Sequence, residues 1–269
     1  LTDDEFRIIS GTSFVSNDSG WIQFHMPDDG SVEIEDETEN LCCLGLWGPG
    51  SRRVLGAVCG SDLSHAAFPY MTAQSIEVSN ITVWAQRVSY VGELGWELYI
   101  QPEQAVTVWD ALMNAGSDAG IQPAGYKALD ALRIEKGYLY WSGDITPEDN
   151  PLQAGLGMFV DLSKPDFIGK EALEKIQKQG LGSRLVALTM DAGGNLYGGE
   201  SVYANGQVID RIRSGNYGYT IGQDVGLVYL PPELVAPGVD LAVQVMGERV
   251  TATVAGLPLV DPKGLKLKV

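Results

Sequence analysis

The feature of the sequence that most constrains its fold is a change of pattern near residue 181. Before this point, runs with strand character alternate with runs whose apolar residues recur at helical spacing. After it, short β-like runs are separated by glycines, and Asn205-Gly206 is a hairpin signal. We therefore predict an α+β body over residues 1–180 and a small closed or nearly closed β-barrel over residues 181–269, because a barrel leaves no exposed sheet edge.

Glycine and proline residues predict where individual elements of the body begin and end. An apolar run at 41–46 ends at Gly48-Pro49-Gly50, which favours a strand that leads into a helix over 51–58. Gly120 and Gly137 lie where helix C-terminal caps belong. The further predicted strands are 6–10, 21–25, 32–34, 81–89 and 98–100. The further predicted helices are 102–119, 124–136 and 169–179.

Composition excludes several classes of partner. The 269 residues carry a formal net charge of −17, so the average field of the protein repels a nucleic-acid backbone or an anionic membrane surface. No apolar run reaches the roughly 18 residues that a membrane span requires. With two histidines and three cysteines in no metal-binding spacing, we expect no metal site. Unpaired cysteines favour a reducing compartment, either a bacterial cytoplasm or a mitochondrial matrix.

The segment YVGELGWELY, residues 90–99, is the most informative part of the chain for function. It places the carboxylates of Glu93 and Glu97 among three aromatic residues around a glycine turn. A flat ligand would find both a stacking surface and a hydrogen-bond acceptor there. The residue types alone favour a plain hairpin that has exposed glutamates and half-buried aromatic rings.

This segment resembles the signature of the glycine cleavage T-protein family, in the form found in dimethylglycine and sarcosine dehydrogenases. Five other motifs follow the family order, so the resemblance covers essentially the whole chain. They are LGLWGPGS at 44–51, GYKALDALRIEKG at 125–137, NPLQAGL at 150–156, FIGK at 167–170 and SGNY at 214–217. The chain is therefore identified as similar to the folate-binding region at the C-terminal end of those dehydrogenases.

The resemblance implies tetrahydrofolate as cofactor and one-carbon transfer from an iminium derived from an N-methyl glycine. Glu97 matches the glutamate that holds the pterin, because a carboxylate accepts two parallel N–H bonds from its ring nitrogen and exocyclic amine. Tyr90, Leu98 and Tyr99 match positions that line the same site. Met158 falls where some members have a tyrosine in contact with folate.

Besides Met158, the chain departs from the family pattern in two places. The family's catalytic aspartate precedes the stretch that residues 1–6 resemble, so we assign no catalytic residue and expect the numbering to begin inside a longer reading frame. Leu129 replaces an arginine of glycine-cleavage T-proteins, which favours the dehydrogenase branch. No GxGxxG fingerprint is present, so FAD would belong to an absent upstream domain. Asp130, Arg133 and Glu135 could form an active cluster, but such spacings on a helix are usually structural.

Two other functions are compatible with the same fold. A folate-dependent O- or S-demethylase would bind folate but would use a different methyl donor. A regulatory or interaction module without catalytic activity would bind no folate.

Overall fold

The body of the protein is built on a four-stranded antiparallel sheet in a computed structural model that describes residues 1–269. The strand order is β1-β4-β3-β2. The strands are β1 (Cys42–Trp47), β2 (Ala73–Val78), β3 (Ile81–Gln86) and β4 (Gly95–Ile100). Because successive side chains on a strand point to opposite faces, one face of the sheet is apolar and the other is polar and aromatic.

The apolar face packs against helices and forms the core of the body. Two helices, α2 (Ser51–Val58) and α3 (Pro102–Ala115), contribute Leu55 and Val108 to a cluster of 15 buried residues. Trp96 and Leu98 of β4 lie in the same cluster and have no exposed surface. This face is therefore closed to any ligand.

A second, seven-stranded antiparallel sheet forms the C-terminal part in the order β7-β6-β10-β11-β5-β9-β8. Its strands are β5 (Arg184–Met190), β6 (Ser201–Ala204), β7 (Gln207–Arg211), β8 (Gly215–Gly218), β9 (Gln223–Leu230), β10 (Asp240–Val245) and β11 (Glu248–Ala255). The edge strands β7 and β8 are consecutive in the chain, and residues 212–214 between them bond to Glu200 on one side and to Leu227 on the other. The sheet thus curls into a half-barrel whose two edges are held by one segment.

Two helices lie between the sheets in the sequence, α4 (Tyr126–Glu135) and α5 (Lys170–Gln179). Ile134 of α4 is fully buried against Ala187 of β5 and Leu227 of β9, so α4 covers the outer face of the curled sheet. The end of the chain returns to the body, where the fully buried Arg87 donates to the carbonyls of Leu267 and Val269 at 3.0 and 2.8 Å. None of the helices is long and apolar enough to cross a membrane.

The predicted strands of the first forty residues are wrong. Residues 21–25 belong to a helix, α1 (Val15–His25), in which the Ser19 hydroxyl bonds back to the Val15 carbonyl. Segments 6–10 and 32–34 form no strand, because no neighbouring strand offers the hydrogen bonds that a sheet requires. None of residues 1–40 is buried, and Phe24 of α1 is 83% exposed.

The predictions for the remaining elements are largely confirmed. Helix α2 has the predicted bounds, and Gly120 and Gly137 adopt positive φ angles of 71° and 72°. Asn205 and Gly206 also have positive φ and connect β6 to β7. The α+β class is confirmed, and the C-terminal barrel is a curled sheet closed only by residues 212–214. The division into domains at residue 181 stays a prediction.

A close contact between β1 and β4 generates a test of the fold. A Cβ atom at Gly95 would lie 2.2 Å from the Leu46 carbonyl oxygen and 2.3 Å from the Trp47 ring. We expect Gly95→Ala to lower the free energy of unfolding by about 1–3 kcal/mol, measured by urea denaturation. The matched control is Gly56→Ala, in α2, where a Cβ meets no atom within 4 Å. It should stabilise the protein by about 0.5–1 kcal/mol, and a similar loss in both variants would contradict the close contact.

Candidate functional site

The polar face of the body sheet carries the candidate site. Glu97 and Tyr99 of β4 lie on this face, and the strand register places Gly45 and Gln86 on either side of Glu97. Trp84 lies beside Tyr99 on the neighbouring strand β3. The sheet therefore offers a carboxylate within a patch of aromatic and small residues.

Glu97 and Tyr99 are joined by a hydrogen bond. The Tyr99 hydroxyl donates to Glu97 Oε2 at 2.8 Å. Burial of the phenol, this hydrogen bond and the Glu97 charge all raise the pKa of Tyr99 above its usual value. The phenol therefore keeps its proton at neutral pH and holds the carboxylate in one orientation, while Glu97 Oε1 accepts no hydrogen bond from the chain.

The Trp47 indole forms a wall next to Glu97. Its Nε1 donates to the Val88 carbonyl at 3.0 Å, and its ring lies against Gly45 and Gly95. A side chain at Gly45 would lie 2.4 Å from the indole carbons, so the ring reaches this position only because glycine occupies it. The two glycines thus make space for a flat aromatic surface beside the carboxylate.

Tyr90 is held by the loop that follows α4. Its hydroxyl donates to the Leu139 carbonyl at 2.7 Å, and its ring stacks on Tyr138 with centroids 6.1 Å apart and planes 15° from parallel. Burial raises the pKa of Tyr90, so the hydroxyl stays protonated. The hydrogen bond fixes Tyr90 to this loop, and the structure gives it none with Glu97.

One of the residues that the sequence placed in the site, Leu98, points away from the polar face. The side chain of Leu98 is fully buried in the core on the opposite face of β4, so it cannot line the polar face, and only its backbone is available there. Its neighbours on β4, Glu97 and Tyr99, line the polar face instead, because side-chain direction alternates along a strand. Met158 lies in a 3-10 turn, Gly157–Phe159, and is 84% exposed.

A buried charge network around α4 lies close to Tyr90. The guanidinium of Arg133 forms ion pairs with Asp130 at 2.7 Å and with the fully buried Asp144, and it donates to Ser214 Oγ at 2.8 Å. Asp130 also accepts a bond from Asn216 Nδ2 at 2.9 Å. Sequence spacing indicated only the Asp130–Arg133 pair. Asp144 and the two barrel residues were missed because they are distant in sequence.

The other end of α4 is fixed to the C-terminal part in the same way. The Glu135 carboxylate accepts bonds from the backbone and hydroxyl of Thr220 at 2.8 Å and from the Ile221 backbone at 3.0 Å. Lys136 forms an ion pair with Asp261 at 3.1 Å. Glu135 is therefore a structural residue that positions the barrel turn, not part of the polar face.

Comparison with known families identifies this arrangement. Residues 1–164 match the GCVT N-terminal domain, and residues 184–261 match the glycine cleavage T-protein C-terminal barrel domain. The chain belongs to the glycine cleavage T-protein family. It therefore has the aminomethyltransferase fold, with the body and curled sheet described above.

The individual relatives include aminomethyltransferases and dehydrogenases. The aminomethyltransferase of Halothermothrix orenii is 34% identical over 260 residues, which cover 97% of this chain and 72% of that protein. Human mitochondrial dimethylglycine dehydrogenase is 41% identical over 263 residues, which cover 95% of this chain. The chain spans only 30% of the length of that dehydrogenase.

A solved relative has the same fold. The crystal structure of glycine cleavage system aminomethyltransferase T from Bartonella henselae superposes with a TM-score of 0.72 and 25% identity. The match covers 82% of this chain and 60% of that one.

The alkylation rate of the Cys43 thiol provides a test of the charge at Glu97. Although Cys43 is exposed, desolvation of its thiol by the surrounding atoms, with a further contribution from the Glu97 charge, raises the pKa of Cys43 to about 11. In a background with Cys42→Ser and Cys59→Ser, we expect Glu97→Gln to lower this pKa and to speed alkylation by iodoacetamide at a fixed, mildly alkaline pH. The control Glu77→Gln, an exposed carboxylate on the same face two strands away, should leave the rate unchanged. Equal rates in all variants would show that Glu97 does not face Cys43.

The network of Arg133 is open to a direct stability test. Replacement by Met leaves Asp144 buried without its cation, so Arg133→Met should lower the free energy of unfolding by about 3–5 kcal/mol. The matched variant Asp130→Asn alters a partner that is 41% exposed, and should cost less than about 1 kcal/mol. Urea denaturation measures both values, and losses of equal size would exclude the dominant role of the Asp144 pair.

Proposed function

We propose that this chain binds tetrahydrofolate on the polar face of the body sheet and serves one-carbon transfer. The observation that carries the proposal is the Glu97 carboxylate, which is oriented by Tyr99 and keeps Oε1 free to accept hydrogen bonds. Membership of the T-protein family supports the same conclusion, since the curated relatives include an aminomethyltransferase.

The residues on this face fit a pterin. A pterin has a flat ring with two neighbouring N–H donors, which a half-buried carboxylate can receive together. The indole of Trp47 lies beside Glu97 and offers an aromatic surface. The Tyr99 hydroxyl donates a hydrogen bond to Glu97 Oε2 and so holds the carboxylate in the orientation that presents Oε1 to a ligand.

The contribution of this chain to the reaction is binding and orientation. Tetrahydrofolate, when bound, supplies the nitrogen that accepts the one-carbon unit. Glu97 would hold the pterin, while Tyr90 and Tyr138 would fix the wall made by the loop after α4. Correct placement of two reactants alone supplies a large part of a rate enhancement. We assign no proton-transfer step to a residue of this chain.

We further propose that the one-carbon donor is an iminium formed by flavin oxidation of an N-methyl glycine. The similarity to dimethylglycine dehydrogenase and sarcosine dehydrogenase supports this donor, and FAD would be bound outside residues 1–269. Leu129, in place of an arginine of glycine-cleavage T-proteins, agrees with the same branch. Under this proposal, the protein would act in the mitochondrial matrix if it is eukaryotic and in the cytoplasm if it is bacterial.

Calorimetric titration with tetrahydrofolate tests the binding site. Loss of a charge-assisted hydrogen bond costs about 1.5–3 kcal/mol, so Glu97→Gln should weaken binding roughly 10- to 100-fold. Tyr99→Phe should weaken it less, because the carboxylate keeps its charge but loses its orientation. Glu77→Gln is the control and should bind like the parent chain.

Three outcomes of this titration, combined with an activity assay on the N-methyl glycine iminium, separate the alternatives. Binding that Glu97→Gln does not weaken would place folate elsewhere. A parent chain that binds no folate would favour an interaction module. Folate binding without turnover of the N-methyl glycine iminium would favour an O- or S-demethylase.

A further inference from the structure

Gln86 of β3 and Glu97 of β4 form a cross-strand pair on the polar face of the body sheet. The register of the two strands sets these residues directly opposite each other. Opposite residues of an antiparallel pair point to the same face and have Cβ atoms about 4.5–5.5 Å apart. Glutamine and glutamate side chains have the same length, so an amide and a carboxylate extend side by side from the sheet.

Gln86 is the direct cross-strand neighbour of Glu97 that can donate a hydrogen bond from its side chain. On the other side of Glu97 the register places Gly45, and the Trp47 indole occupies the space that a side chain there would need. The indole N–H is already donated to a backbone carbonyl, and the Tyr99 hydroxyl is donated to Glu97 itself. Of these groups, only the Gln86 amide keeps its N–H donors for a ligand.

The polar ends of both side chains are open to a ligand. Gln86 is partly exposed, its amide makes no hydrogen bond with the chain, and neither amide atom is buried. Glu97 is also partly exposed, and its Oε1 is neither buried nor hydrogen-bonded. A donor and an acceptor without partners therefore lie next to each other on the accessible side of the sheet.

One edge of a pterin ring has the complementary pattern. Along this edge lie the 2-amino group and the ring N3–H, which are donors, and then the C4 carbonyl, which is an acceptor. A carboxylate matches the two donors but repels the carbonyl oxygen beside them, because both are acceptors. An amide N–H next to the carboxylate removes this conflict, since it can donate to the carbonyl.

We propose that Gln86 binds the C4 carbonyl of the pterin while Glu97 binds its N3–H and 2-amino groups. This inference rests on the proposed function, since it concerns the same face and the same ligand. It also orients the ring, with the C4 carbonyl toward β3 and the 2-amino group toward β1 and Trp47. The two residues together then recognise the 2-amino-4-oxo edge as one unit.

The test titrates tetrahydrofolate into the complete chain labelled with ¹⁵N in its glutamine side chains. We expect binding to move the side-chain amide protons of Gln86 downfield in a saturable manner, because they enter a hydrogen bond. Loss of one neutral hydrogen bond should make Gln86→Met bind tetrahydrofolate about 3- to 10-fold more weakly by calorimetry. The control is Gln74→Met, which changes a glutamine on the opposite face of the same sheet and should bind like the parent chain.

A ligand without the carbonyl tests the assignment of the contact. The 4-amino analogue of tetrahydrofolate has no C4 oxygen, so at saturation it should leave the Gln86 amide protons near their free position. An equal downfield shift with this analogue would overturn the inference. This readout uses the parent chain and does not depend on the folding of any variant.

The variants separate failure of this inference from failure of the proposed function. Tetrahydrofolate binding that Glu97→Gln weakens and Gln86→Met does not would overturn the Gln86 contact and leave the pterin at Glu97. A parent chain that binds no tetrahydrofolate, or binding that Glu97→Gln does not weaken, would overturn both.

Discussion

The positions of α4, the loop after it and the curled sheet depend on the hydrogen bonds and ion pairs of the Arg133 guanidinium. It donates hydrogen bonds to Asp130 on its own helix, to Asp144 and the Tyr138 carbonyl in the following loop, and to Ser214 immediately before β8. A buried charge is tolerated only when it is paired and hydrogen-bonded on several sides. These contacts therefore fix the helix, the loop and the sheet relative to one another, and the loop in turn accepts the Tyr90 hydroxyl through Leu139.

The Glu97 site depends on a different property, the alternation of side chains along β4. Trp96 and Leu98 close the apolar core, while Glu97 and Tyr99 between them face the other way. A shift of one residue in the strand register would bury the carboxylate and expose the indole of Trp96. The core therefore specifies the orientation of the binding face, although none of its residues takes part in binding.

Local sequence signals predicted the elements that are stabilised locally. Helix α2 begins after Gly48-Pro49-Gly50, and Asn205-Gly206 supplies the positive φ angles of its turn, so neighbouring residues were sufficient for both. Trp21 was assigned to a strand because its aromatic neighbourhood has β character, whereas the chain there is helical and unpaired with any sheet. Two partners of Arg133, Asp144 and Ser214, lie outside its helix, so helical spacing carries no signal for them. Glu97 was identified through family resemblance, since spacing alone did not distinguish it from Glu93.

The segment that joins β7 to β8 determines how the curled sheet would respond to a proteolytic cut. One stretch of backbone, residues 212–214, continues both edge strands, because it bonds to Glu200 beside β6 and to Leu227 of β9. A single proteolytic cut there would remove the link between the two edge strands, and if they moved apart their outer sides would expose a row of backbone donors and acceptors. Such edges pair readily with strands of other molecules, so a nicked chain would become prone to aggregation while most of its core was still intact.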